Sequence, residues 1–124
     1  MKRFSFVFVL FLALPALAQQ WGSAGLQTNP LVNAVLAEVV NSGADNALHW
    51  KFTCSSTVAA TVVFEHRDAA NAANVHAQGY FLTANQPFTD SSGVPTTVLF
   101  SGERFRIRLN AAITGLIWCS VLTD

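Results

Sequence analysis

Between residues 104 and 109 the chain alternates strictly, with Phe105, Ile107 and Leu109 separated by Arg104, Arg106 and Arg108. A two-residue period is that of a strand with one buried and one wet face. A polar turn from Asn110 to Gly115 follows, and residues 116–122 return as a run that is apolar on both faces and carries Cys119. The two segments read as a β-hairpin feeding a core strand. Upstream, Leu48, Trp50, Phe52 and Cys54 alternate with His49, Lys51 and Thr53. Residues 57–66 place Val58, Ala60, Val62 and Phe64 on one face and Val63 on the other. Tyr80, Phe81 and Leu82 mark a strand over 79–83, and residues 96–100 predict another.

The segments between these strands are polar. Residues 67–78 are small and polar and read as a loop or a single helical turn. Residues 85–95 hold Pro87, Asp90, Ser91, Ser92, Gly93 and Pro95, the chemistry of turns. Residues 29–43 admit two readings. Leu31, Val35 and Val39 fall at helical spacing, and Asn29, Pro30 and Gly43 suit an N-cap, a first helical position and a C-terminal cap. Four of the valines there are β-branched residues that favour a strand, and 35–40 would serve as one. The segment is a helix, a helix then a strand, or a strand, facing the core in each case. Short strands joined by turns predict an all-β fold, with one short N-terminal helix left open: an antiparallel, jelly-roll-like sandwich.

The N-terminus changes the picture of the whole chain. Lys2 and Arg3 precede an apolar stretch over residues 4–14, and Ala16-Leu17-Ala18 forms a small-x-small site. This is the pattern of a secretory signal peptide over residues 1–18, too short to span a bilayer, which needs about 20 residues. Residues 19–29 then read as a flexible arm with Trp21 and Leu26 as isolated apolar anchors, and residues 30–124 as the sandwich domain. The arm is either frayed or docked on a neighbouring subunit through those two side chains. The mature protein is expected to be secreted, extracellular or periplasmic, with no membrane insertion after cleavage.

Without Lys2 and Arg3, five basic residues face seven acidic ones, a net charge of −2 that leaves no footprint for nucleic acid. Charged residues make up 11% of the chain against roughly 25% in an ordinary soluble protein. A surface built from Asn, Thr, Ser, Gln and Ala carries little charge repulsion and tolerates copies of itself. Cys54 and Cys119 are the two cysteines, and export favours their oxidation to a single disulfide.

Arg104, Arg106 and Arg108, about 7 Å apart along one strand face, form a row of forked donors. They would serve as a solvated face paired with Glu65, Asp68 or Glu103, as a subunit contact, or as a grip on an anionic ligand. His49, His66 and His76 match no zinc spacing, so neither a metal nor a cofactor is expected. No nucleophile elbow is present, and both cysteines suit a bridge better than catalysis, so no catalytic residue is expected. Trp50, Trp118, Tyr80 and the phenylalanines read as core. Exposed together, they would make a carbohydrate-binding platform.

The run FEHRDAANAANV over 64–75, with GERFRIRLNAAITG over 102–115, resembles small β-sandwich structural proteins of tailed-phage particles, the decoration- and fibre-type modules. The resemblance implies a self-assembling, non-enzymatic shell or fibre subunit. Exported by a cell, such a module would serve as a surface or filament subunit. The expected function is therefore that of an exported structural subunit whose partners are copies of itself. A secreted module binding a glycan or another surface protein is the alternative.

Overall fold

The computed structural model describes residues 20–43, 45–92 and 97–124, so the leader expected over residues 1–18 lies outside the described residues. The strands are β1 (Gln20–Gly22), β2 (Gln27–Thr28), β3 (Val35–Val40), β4 (Asn46–Leu48), β5 (Trp50–Ser56), β6 (Ala60–Arg67), β7 (Asn74–Leu82), β8 (Phe88–Ser91), β9 (Thr97–Leu99), β10 (Arg104–Leu109) and β11 (Leu116–Thr123). The first sheet runs β1-β11-β5-β8, with β2 also on β11, and the second runs β3-β10-β6-β7. A small two-stranded sheet joins β4 and β9. Every pairing is antiparallel.

The pairs are nested: β6 with β7, then β5 with β8, β4 with β9, β3 with β10, and β1 with β11. Rolling one long hairpin of this kind so that its pairs fall in two facing sheets makes a jelly roll. The expected all-β, disulfide-bridged sandwich is therefore the fold.

Period-2 patterning decides what goes inside. Along β10, Phe105, Ile107 and Leu109 are buried and the three arginines half-buried on the other face. Phe52 of β5 stacks on Phe64 of β6 with ring centroids 5.4 Å apart, and Phe64 on Phe105 of β10 at the same distance, so one aromatic row ties the two sheets. Fully burying such a side chain contributes about 1.5–3 kcal/mol.

Several expectations are corrected. Residues 29–43 hold no helix: Asn29 and Asn33 take left-handed conformations (φ 48° and 65°), and the chain turns before entering β3. Asn33 would stand inside that helix, which needs a right-handed angle there. Nor does all of that segment face the core. Leu31 and Val32 are exposed, whereas Leu36, Ala37 and Val39 are buried. Leu36 and Ala37 both turn inward at a register shift, where Ile107 faces Ala37 and Arg108 faces Val35.

The C-terminal hairpin is also not one. Both edges of β10 are occupied, by β3 and β6, so the chain crosses to the other sheet and β11 pairs with β1, β2 and β5. The loop expected over 67–78 belongs in part to β7, which starts at Asn74, and β8 occupies part of the expected turn region. The arm is not free: Gln20–Gly22 and Gln27–Thr28 pair with β11 of the same chain.

Cys54 and Cys119 are bonded, and they are direct cross-strand partners of β5 and β11, both fully buried. The bridge thus locks the register of two neighbouring strands and closes a separation of 65 residues. A loop of that size stabilises by about 4 kcal/mol in the chain-entropy model. Replacing both cysteines (Cys54→Ala/Cys119→Ala) should lower the melting temperature by roughly 10–20 °C, an effect that circular dichroism melts of the two proteins would measure.

Candidate functional site

Three surface features gather chemistry: the arginine face, the β7 edge and a cleft between the sheets. On the outer face of the second sheet, β10 lies between β3 and β6. Its register sets Arg106 directly across from Glu65 on one side and Glu38 on the other. Arg106 donates from Nε and Nη2 to Glu65 Oε1 at 3.0 and 2.8 Å, and Arg108 Nε lies 3.2 Å from the same oxygen. Arg67 Nη1 lies 3.5 Å from Glu65 Oε2, and Arg104 Nη1 donates to Glu38 Oε1 at 3.1 Å.

Glu65 is only 1% exposed although it sits on the outer face of the sheet. Burial is the largest single influence on its carboxyl and opposes ionisation. Hydrogen bonds from Arg106 and Asn74, with the charges of Arg106 and Arg108, outweigh burial and hold the carboxyl below its ordinary 4.5. Of the three partners expected for the arginine row, Glu65 takes the role. Asp68 instead accepts the Ala72 N–H, and Glu103 accepts the Phe100 N–H and faces His66. Glu38 is a partner that the spacing along the chain does not reveal, because only the pairing of β3 with β10 brings it there.

Arg67 uses its remaining donors on the turn that leads to β7. Its Nε donates to Asn71 Oδ1 and its Nη2 to the Asn71 carbonyl, both at 2.6 Å, while Nη1 reaches Asn74 Oδ1 at 2.8 Å. Asn71 sits at φ 56° in that turn. The face is therefore a structural network of guanidinium and carboxylate groups that also fixes the start of β7.

The edges of the two sheets differ sharply. In the first sheet, β1 and β8 are three and four residues long. In the second, the outer edge of β3 is covered by the N-terminal arm: the Ala24 N–H donates to the Leu36 carbonyl at 2.9 Å. Gly22 lies so close to the Glu38 carbonyl that a Cβ there would collide with it, which is why glycine stands at that crossing. The remaining edge, β7, is nine residues long, and residues 74–79 are exposed on both of its faces. Among the described residues its backbone pairs with β6 alone. It contains neither Lys, Arg, Asp, Glu nor Pro, the residues that blunt an edge.

Sequence reasoning found the end of this strand, in the expected strand over 79–83, and missed its start from Asn74. A strand exposed on both faces has no burial period to display, so NVHAQG reads as a polar loop. The arm anchors Trp21 and Leu26 are 64% and 65% exposed and fill no pocket of their own core. Leu26 shares a shallow hollow of about 230 Å³ on the first sheet with Leu116 and Trp118.

The cleft opens between β5 and β7. Trp50 stacks on Phe64 there with centroids 4.5 Å apart, and His66, His76 and Gln78 stand at its polar side. Tyr80, which also lines it, donates its hydroxyl to Asp90 Oδ2 at 2.8 Å, joining β7 to β8. Burial first, then that bond and the Asp90 charge, push the Tyr80 hydroxyl up to about 12, so it remains a donor at neutral pH. Among the described residues no group of three or more His, Cys, Asp or Glu side chains could hold a metal ion, and no helix is long and apolar enough to cross a membrane.

Glu65→Gln keeps the side-chain shape and removes the charge that three guanidinium groups surround. The expected loss at neutral pH is about 2–3 kcal/mol, less than the ~3–5 of a fully buried pair because the arginines keep some contact with water. A carboxyl held low in the folded state contributes its stability above about pH 4.5, where the unfolded chain is also ionised, and loses it as pH falls through the lower folded value. Urea titrations of the two proteins should therefore show a gap at pH 7 that narrows as the pH falls below 4.5. Against known proteins, no family model matches the chain and no curated relative was found, so the functional reading rests on this geometry.

Proposed function

We propose that the protein is an exported structural subunit that assembles with copies of itself, acting through subunit contacts and not by turnover of a substrate. Jelly rolls serve both coat and lectin domains, so the architecture does not choose between assembling and binding a ligand. The observation that carries the assembly reading is the bare edge of β7. Folded proteins blunt the ends of their sheets, because a row of unpaired N–H and C=O groups is a template for another strand. Among the described residues one edge is covered by the arm and two are short, while the longest lies open.

Two copies joined antiparallel through β7 would merge their four-stranded sheets into one of eight. Such a contact is isologous, the arrangement of a two-fold dimer. The absence of charged side chains on β7 removes the repulsion that would oppose self-pairing. Exposed Val75 and Phe81 (59% and 65%) add apolar surface to the joint. Trp21 and Leu26, exposed on the other sheet, offer a second contact through which dimers extend into filaments or coats. The buried disulfide suits an oxidising compartment outside the cytosol, as the expected leader does.

Light scattering on a sizing column should give the mature chain a mass of two or more subunits. A Cβ at Gly79 meets nothing within 4 Å and Val75 is exposed, so Val75→Lys/Gly79→Lys should fold normally. That variant should run as a monomer, since like charges across a self-paired strand are destabilising. A wild-type monomer at high concentration, or a variant that assembles unchanged, would sink the β7 reading.

A further inference from the structure

The cleft beside β7 has the makings of a ligand site that assembly does not use. One wall comes from the first sheet, where Trp50 presents its indole. Beneath it the floor is aromatic: Phe64 stacks on Trp50, and Phe105 lies 5.4 Å from Phe64. The opposite wall is polar. His76 and Gln78 alternate along the inner face of β7, exposed, and the register sets His66 directly across from His76.

His66 is the unusual member. Its side chain is 9% exposed, yet its Nε2 has no hydrogen-bond partner. Glu103 Oε1 is its nearest polar neighbour, 3.4 Å away and out of hydrogen-bonding alignment. Buried polar groups in folded proteins are normally satisfied, so a histidine that lines the cleft with one nitrogen shut off beside Glu103 and unsatisfied is a polar group held in reserve there.

From these features we infer that the cleft binds a single uncharged sugar ring. No carboxylate, ammonium or guanidinium group lines it, so an anionic or cationic ligand finds no counter-charge there. Histidine and glutamine each offer a donor and an acceptor, as hydroxyl groups require of their partners. The aromatic wall suits the apolar C–H face of a pyranose, and the β7 wall its hydroxyl edge. A volume of about 260 Å³ falls below the roughly 300–1,000 Å³ of sites for drug-sized ligands, which limits the occupant to one ring. The Tyr80–Asp90 bond ties β7 to β8 and so holds the two walls together.

The test is saturation-transfer NMR with glucose, galactose, mannose, N-acetylglucosamine and indole as separate probes. At least one of the four sugars should receive saturation from the protein. His76→Ala and Gln78→Ala should each weaken that binding about five- to tenfold, the loss of one or more hydrogen bonds. Both side chains are exposed, so the melting temperature should not move. The same titration on Val75→Lys/Gly79→Lys separates this site from assembly, because a monomer should bind as the wild type does. No transfer to any of the four sugars overturns the inference. So does binding that both alanine variants leave intact, or transfer to indole alone, which would mark the slot as a receptor for a flat aromatic group.

Discussion

Every strand must satisfy its backbone groups on two sides, and this requirement organises the molecule. It explains why the C-terminal segments do not form a hairpin. With β3 and β6 already bonded to β10, no edge is left for β11, and the chain must cross to the other sheet. It explains why the N-terminal arm lies against β3 and not in solvent, and why Gly22 stands where the backbones touch. The same requirement, left unmet along β7, singles that strand out. Its bareness is a feature of one edge in an otherwise guarded pair of sheets.

Electrostatics supports this division of the surface. Four of the five basic residues outside the expected leader, Arg67, Arg104, Arg106 and Arg108, lie on one face of the second sheet. There they converge on Glu65 and Glu38, and most of their hydrogen-bonding capacity is spent within the fold. A row of three arginines suggests an anion grip when seen alone. With a carboxylate buried beneath it, the row becomes a cross-strand clamp, and Arg67 extends that clamp to the turn that launches β7. The rest of the surface carries few charges, which lowers the barrier to contact between copies.

The two proposals use opposite sides of one strand. Self-pairing engages the backbone edge of β7, whereas the sugar site uses the side chains His76 and Gln78 that face the cleft. A long open strand closing a short-walled sandwich produces both at once. Because β8 is only four residues long, it covers the far end of β7 through Tyr80 and Asp90 and leaves the near end uncovered. The aromatic core reaches water at that gap, and Trp50 is only partly buried as a result.

Much of this was legible in the chain itself. Strict alternation at Phe105, Ile107 and Leu109, and at Phe52 and Cys54, announces strands because a half-buried strand must alternate. Two cysteines behind the leader expected over residues 1–18 announce a bridge, and turn residues between short strands announce a sandwich. What stayed hidden has a common physical cause, since each hidden feature depends on neighbours remote in sequence. Valines at helical spacing in residues 29–43 became a strand because two asparagines took left-handed angles and β10 offered an edge. Residues 74–78 became a strand with no hydrophobic period, held among the described residues by β6 alone. Local pattern determined which residues seek burial. Tertiary pairing alone decided which edge was left open, which carboxylate met the arginines, and where the aromatic core reached the surface.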